Sequence, residues 1–172
     1  GPNGAGKPTT VRMTNHILNP DIGHISILGE AVSPKSQERI GYLPEERGLY
    51  KKMKVFDQLM YLAQLKGLSQ TAAKTAIEFW LDRFEASSWK KKEVSELSKG
   101  MSQKIQFIAT VAHDPEIYIF DEPFSGLDPI NSEMLKEVIL EEKKRGKTIL
   151  FSTHRMEQVE QMCDDICLFN QG

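Results

Sequence analysis

The chain has 172 residues, 27% of them charged, with a formal net charge of -2. That length suits one ordinary domain with a real core, and the near-balanced charge supplies no strong field to attract nucleic acid or an acidic membrane surface. No stretch approaches the roughly 20 apolar residues of a membrane span, since "IQFIATVA" and "IYIF" have the lengths of a core helix and a core strand.

The chain opens on "GPNGAGKPTT", with glycines at 1, 4 and 6 ahead of Lys7. "TTVRMTNHIL" then places Val11, Met13, Ile17 and Leu18 at spacings suited to a helix packed on a sheet, stopped by Asn19, Pro20 and Asp21. "GHISILGEAV" predicts a short strand and its return, and "RIGYLPEE" a second strand closed by Pro44. From about Val55 to Glu93 the pattern is helical, with Leu59, Leu62, Leu65, Ile77, Trp80, Leu81 and Phe84 as the apolar stripe of an inserted helical lobe. The basic run Lys90, Lys91 and Lys92 reads as a solvated helix end.

"LSKGMSQKIQFIATVAH" predicts a serine-glycine turn and a helix through Ile105, Ile108 and Val111, ended by Asp114 and Pro115. "IYIF" is a fully apolar buried strand running into "DEP". A helix over "NSEMLKEVILEEKKRG" takes Gly146 as its C-terminal cap. "KTILFSTH" predicts another buried strand, "RMEQVEQMC" a helix and "DICLFN" a final strand. Cys163 and Cys167 are too few for a disulfide framework and read as free, half-buried thiols. Alternating helices and apolar strands indicate a parallel sheet with helices on both faces. Such a sheet binds ligands beyond the carboxyl ends of its strands. "GPNG" starts inside a motif and "CLFNQG" reads as a strand leading onward, so the expectation is a segment trimmed at both ends.

Two groups of residues carry chemistry. Gly1-x4-Gly6-Lys7 has the form of a phosphate-binding loop, complete but for the hydroxyl that should follow the lysine. Glycines there let successive N–H groups turn inward around an anion at a helix N-terminus, and Lys7 adds a point charge. An ordinary tight strand-to-helix turn uses glycines too, so the loop does not decide the matter alone. The second group is Asp121 and Glu122, delivered side by side at the end of a buried strand. An aspartate there can hold magnesium through water, and the adjacent glutamate can take a proton from an attacking water.

"GPNGAGK", "LSKGM", "IYIFDEP", "SGLD" and "STH", in this order, resemble the nucleotide-binding domain of an ABC-type ATPase over essentially the whole chain. "YLPEERGLY" further resembles the subgroup that pairs with separate exporter permeases, the sodium-export type among them. The resemblance implies a P-loop NTPase fold with an inserted helical subdomain. The core lobe would be residues 1–46 and 97–172, and the subdomain 47–96. It implies ATP and Mg2+ as ligands, with Gly1, Asn3, Gly4, Ala5, Gly6, Lys7, Pro8 and Thr9 forming the phosphate loop. Asp121 and Glu45 would serve magnesium, while Glu122, His154 and Glu45 would be catalytic. Ser98 and Gly100 would reach the γ-phosphate bound by the other subunit of a head-to-tail dimer, Ser98 as donor, and Asp128 would couple the two sites.

The chain departs from that pattern at several positions. Lys99 and Met101 replace a usual glycine and glutamine in the signature loop, and Glu45 stands where a glutamine is usual. Pro8 is the largest departure, because proline supplies neither the hydroxyl for magnesium nor an N–H for phosphate. It also disfavours helical angles at Lys7. Thr9 is rotated about 100° away by the helical repeat, and the expectation is weak magnesium-dependent binding and slow hydrolysis. The strand feeding the loop and the adenine-stacking aromatic would lie before Gly1, which predicts an isolated segment of low stability.

The leading functional expectation is the ATP-hydrolysing subunit of a transporter, a homodimer or heterodimer beneath a separate permease on the cytoplasmic face of the membrane. The cargo direction implied by the subgroup is export, and no nucleic acid is expected. Two alternatives stand beside it: a soluble ABC-type ATPase of translation or DNA repair, and a hydrolysis-impaired regulatory subunit. Cargo is not encoded in this chain, since a permease would select it.

Overall fold

A computed structural model describes residues 4–45, 48–153 and 156–170. In chain order the elements are α1 (Lys7–Thr14), the antiparallel hairpin β1 (Ser26–Ile27) and β2 (Glu30–Ala31), then β3 (Ile40–Leu43). They continue with α2 (Val55–Leu65), α3 (Gln70–Arg83), α4 (Lys99–Val111) and β4 (Ile117–Asp121). The last three are α5 (Pro129–Lys144), β5 (Thr148–Ser152) and α6 (Met156–Met162).

β3, β4 and β5 form a parallel sheet with β4 between the other two. Consecutive side chains alternate between its faces, and all five residues of β4 are buried, so both faces are covered. On one face Leu43, Tyr118 and Phe120 join a large core with α2, α3, α4 and α5, and Ile149 and Phe151 pack against it. On the other, Ile40, Ile117 and Ile119 pack against Val11 of α1. This is the expected α/β sheet.

The helical insertion is not a separate droplet. A series of ring contacts runs from Trp80 to Phe84 at 6.1 Å, Phe84 to Phe107 at 5.5 Å and Phe107 to Phe120 at 5.4 Å. It links α3 through α4 to the central strand, and burying each such ring contributes roughly 2–3 kcal/mol. Ser69 caps α3 by accepting the Ala72 N–H at 3.2 Å, as its sequence position favours. Lys66, just past α2, donates to the Ile40 carbonyl at 3.2 Å at the start of β3.

Five expectations are corrected. α1 ends at Thr14, five residues before Asn19, because the Asn15 amide donates to the Val11 carbonyl at 2.8 Å and His16 turns left-handed. Ile17 and Leu18 are therefore exposed rather than packed on the sheet. Leu65 is likewise exposed at the end of α2. β5 is only partly covered: its Leu150 is 48% exposed, since among the described residues it pairs with β4 alone. The "DICLFN" segment is irregular over its described residues, where it has no ladder partner. Cys163 and Cys167 are free thiols, the first half-buried as expected and the second exposed rather than half-buried, since among the described residues the irregular segment around it packs against nothing that covers it.

Candidate functional site

The glycine loop folds as its residues dictate. Gly4 has φ 79° and Gly6, which caps α1, has φ 94°, both in the left-handed region that glycine enters without steric cost. Ala5 between them is buried. The first helical bond runs from the Thr10 N–H to the Gly6 carbonyl at 3.0 Å, so residues 7–9 form the opening turn of α1, the kind of helix N-terminus that favours an anion. Gly1 and Asn3 lie outside the described residues.

Pro8 is the second residue of α1, where no helical hydrogen bond is lost. Lys7 nevertheless begins the helix, so the expectation that proline would drive it from helical angles is corrected. The pre-proline restriction is a preference, and here the first turn overrides it. The chemical deficit remains: residue 8 offers neither hydroxyl nor N–H. Thr9 is exposed.

Three acidic candidates sit at the carboxyl edge of the sheet. Glu45 follows β3 and is exposed, Asp121 ends β4 and is buried, and half-buried Glu122 comes next. Asp121 shares its sheet face with Ile117 and Ile119, the face on which α1 packs. Burial, with the Asp121 carboxylate second, raises the Tyr42 phenol on that same face. Glu122 has φ 48°, an uncommon conformation for a residue with a Cβ and one that costs of order 1 kcal/mol or more. Its N–H donates to the Ser152 carbonyl at 3.1 Å, and its own carbonyl accepts from Ser125 at 3.0 Å. His154 lies outside the described residues.

α4 holds both acidic turns in place. Gln103 donates to the carbonyl of Pro123, one residue past Glu122, at 3.2 Å, and Gln106 donates to the carbonyl of Pro44, one before Glu45, at 3.3 Å. Sequence reading missed both glutamines. Their signal is faint, two amides three residues apart on a helix whose buried residues also include Ser102 and Thr110. Ser152 was missed as well: its hydroxyl donates to Oδ1 of Asp121 across the parallel ladder.

The signature residues lie on the same helix. Ser98 caps α4, its oxygen accepting the Met101 N–H at 3.3 Å while its own proton stays available for donation. A Cβ at Gly100 would meet nothing within 4 Å. The side chain of Lys99 crosses the "SGLD" turn at Gly126, which has φ 76°; a Cβ there would meet Lys99 Nζ at 2.7 Å. Asp128 caps α5 through the Asn131 N–H at 3.0 Å. That bond, followed by the Asn131 side-chain amide, holds its carboxyl below the ordinary range.

No group of three or more His, Cys, Asp or Glu among the described residues is arranged to hold a metal. The donors present fit instead a magnesium ion brought with a nucleotide, which needs one or two carboxylates and completes its shell with phosphate oxygens and water. Asp121 meets that requirement.

A sequence model of the family described as "ABC transporter" matches residues 1–125. The whole chain is 51% identical to an uncharacterized ABC transporter ATP-binding protein of Alkalihalophilus pseudofirmus, spanning 64% of it. It is 54% identical to YhaQ of Bacillus subtilis, another uncharacterized ABC transporter ATP-binding protein, spanning 58%. It is 39% identical to the ABC transporter ATP-binding protein NatA of Bacillus subtilis, spanning 72%. The chain thus covers less than two thirds of the first two of these relatives. Among solved structures, 95% of it superposes on 70% of an ATP-binding subunit of an ABC transporter, with a TM-score of 0.88 and 34% identity. It likewise covers 68% of cbiO1 of Clostridium perfringens, part of the cbiONQ complex, with a TM-score of 0.77 and 28% identity. With the family model matching residues 1–125 and the fold superposing on an ATP-binding subunit, the chain belongs to the ATP-binding proteins of the ABC transporter family.

Proposed function

We propose that the intact protein binds and hydrolyses ATP and thereby drives transport through a separate membrane permease, from the cytoplasmic face. The observation that carries this reading is the placement of Asp121 and Glu122 at the end of the central strand, Asp121 on the face where the phosphate-loop helix packs. The left-handed glycines and Lys7 would bind the phosphates. Asp121 would hold, through water, a magnesium ion that neutralises the developing charge on the transferred phosphoryl group. Glu122 would accept the proton of the attacking water. His154 would contact the γ-phosphate, and Glu45 would orient the water and reach magnesium.

Ser98 and Gly100 would complete the nucleotide site of a second copy or a related subunit, with Asp128 at the seam between them. Exposure of Ser98 and open space at Gly100 support that arrangement. The bipartite reading, a core lobe of 1–46 and 97–172 with a helical subdomain of 47–96, supplies the lever. A cleft lined by Leu49, Lys51, Val94, Ser95, Leu97 and Ser102 lies where these parts meet, a fitting seat for a permease element. Export is the direction we favour, on the likeness to "YLPEERGLY"-type ATPases; NatA is among the relatives.

The test is ATP turnover of the intact protein reconstituted with its permease, beside Glu122→Gln. Loss of a general base lowers turnover by about 100-fold or more, with nucleotide binding retained. Equal rates in the two proteins would remove Glu122 from the mechanism. A second reading, a subunit that binds nucleotide without turnover, is favoured by Pro8 alone; permease-stimulated turnover in the parent protein would discard it.

A further inference from the structure

Ser152 grips both members of the acidic pair. It stands opposite Asp121 in the β4–β5 register, so the two side chains share a sheet face. Its hydroxyl donates to Asp121 Oδ1, and its carbonyl accepts the Glu122 N–H at 3.1 Å. We infer that Ser152 is a positioning residue for the acidic pair, its hydroxyl aiming the Asp121 carboxylate and its carbonyl fixing the turn at Glu122. This role rests on the nucleotide-site reading above.

The two grips act differently. A carboxylate at a strand end can rotate about its terminal torsion, which has broad wells. Occupying Oδ1 with a hydroxyl donor stops that rotation and leaves Oδ2 as the oxygen presented outward. A hydrogen bond to an ionised acceptor is about twice as strong as one between neutral groups. The carbonyl grip is main-chain and survives any substitution at position 152 that keeps the strand. Because residue 8 brings no hydroxyl to the metal, orientation of Asp121 carries more of the magnesium dependence here than it would with a serine or threonine after Lys7.

The experiment compares Ser152→Ala and Ser152→Thr with the parent in the intact protein. The readout is the affinity for a fluorescent ATP analogue, measured with magnesium and with a chelator. All three proteins are also made with Pro8→Thr, so that a magnesium dependence already small in the parent cannot hide the effect. Expected is a fall of about tenfold in the magnesium-to-chelator affinity ratio for Ser152→Ala, the loss of one charge-assisted hydrogen bond. Magnesium-free affinity should be unchanged, and Ser152→Thr should keep the parent ratio because it keeps the hydroxyl. An unchanged ratio in Ser152→Ala in both backgrounds overturns the role of Ser152 alone. So does an equal fall with and without magnesium, which marks a merely structural part. Absence of nucleotide binding by the parent and by Pro8→Thr overturns the nucleotide reading itself, and this role with it.

Discussion

Pro8 decides more at the scale of single residues than any other side chain in the loop. It is accommodated by the backbone, since α1 starts at Lys7 and no ladder bond is missing, yet it offers neither a hydroxyl that could serve magnesium nor an N–H that could serve phosphate. Fold and chemistry therefore separate cleanly at this position. Pro8→Thr in the intact protein should raise magnesium-dependent ATP turnover by roughly tenfold or more, as weakening even an outer-shell metal contact costs about 10–100-fold. Side-by-side steady-state rates check this, and equal rates would show that the hydroxyl is dispensable here. The phosphate loop, Asp121 and Glu122 were legible in the sequence because glycine spacing and a pair of acids after an apolar strand leave few other uses. Ser152 and the two glutamines of α4 were not. A hydroxyl ending a strand or an amide in a helix has many bland uses, and only the ladder register and the packing of α4 show which atoms they meet.

Elements were legible where hydrophobic period and punctuation agree. α4 with its serine cap, β4 with its unbroken apolar run, and α5 closed by Gly146 fall where the sequence puts them. The misses share a cause. α1 stops early through a local bond of Asn15 that competes with the helix, and the 165–170 segment is irregular for want of a partner. Within α2 sits one element-scale anomaly: Gln58 is fully buried, and neither amide atom has a hydrogen-bond partner among the described residues. A buried amide left unpaired costs about 1–3 kcal/mol. Gln58→Met, close in volume, should raise unfolding stability by about that amount in urea titration. A destabilised variant would mean that the amide is satisfied by bound water.

For the whole molecule, stability depends on pH through a group far from the acidic turns. His113 is buried beside Lys66, Asp114 and Lys147, with Nε2 3.3 Å from the Ile40 carbonyl and no partner for Nδ1 among the described residues. Burial, followed by the Lys66 charge, pushes its pKa down from 6.5 to about 4. The unfolded chain then binds a proton that the folded chain refuses, so stability is full above about pH 6.5 and falls as pH drops toward 4. The loss is on the order of 3 kcal/mol across that window. Urea midpoints between pH 6.5 and 5, where few carboxylates titrate, should slope downward in the parent and flatten in His113→Gln. An identical slope in both would assign the pH dependence elsewhere.

The left-handed backbone of Glu122 has a consequence for anyone who tries to improve this protein. Glycine and asparagine accept that conformation more readily than glutamate does, so a screen that rewards heat resistance alone will drift toward replacing residue 122. Such winners would be sturdier, and on the proposed role of Glu122 they would have lost the general base. A gain in robustness at this position is a warning rather than a success, and any selection on the fold must also demand turnover.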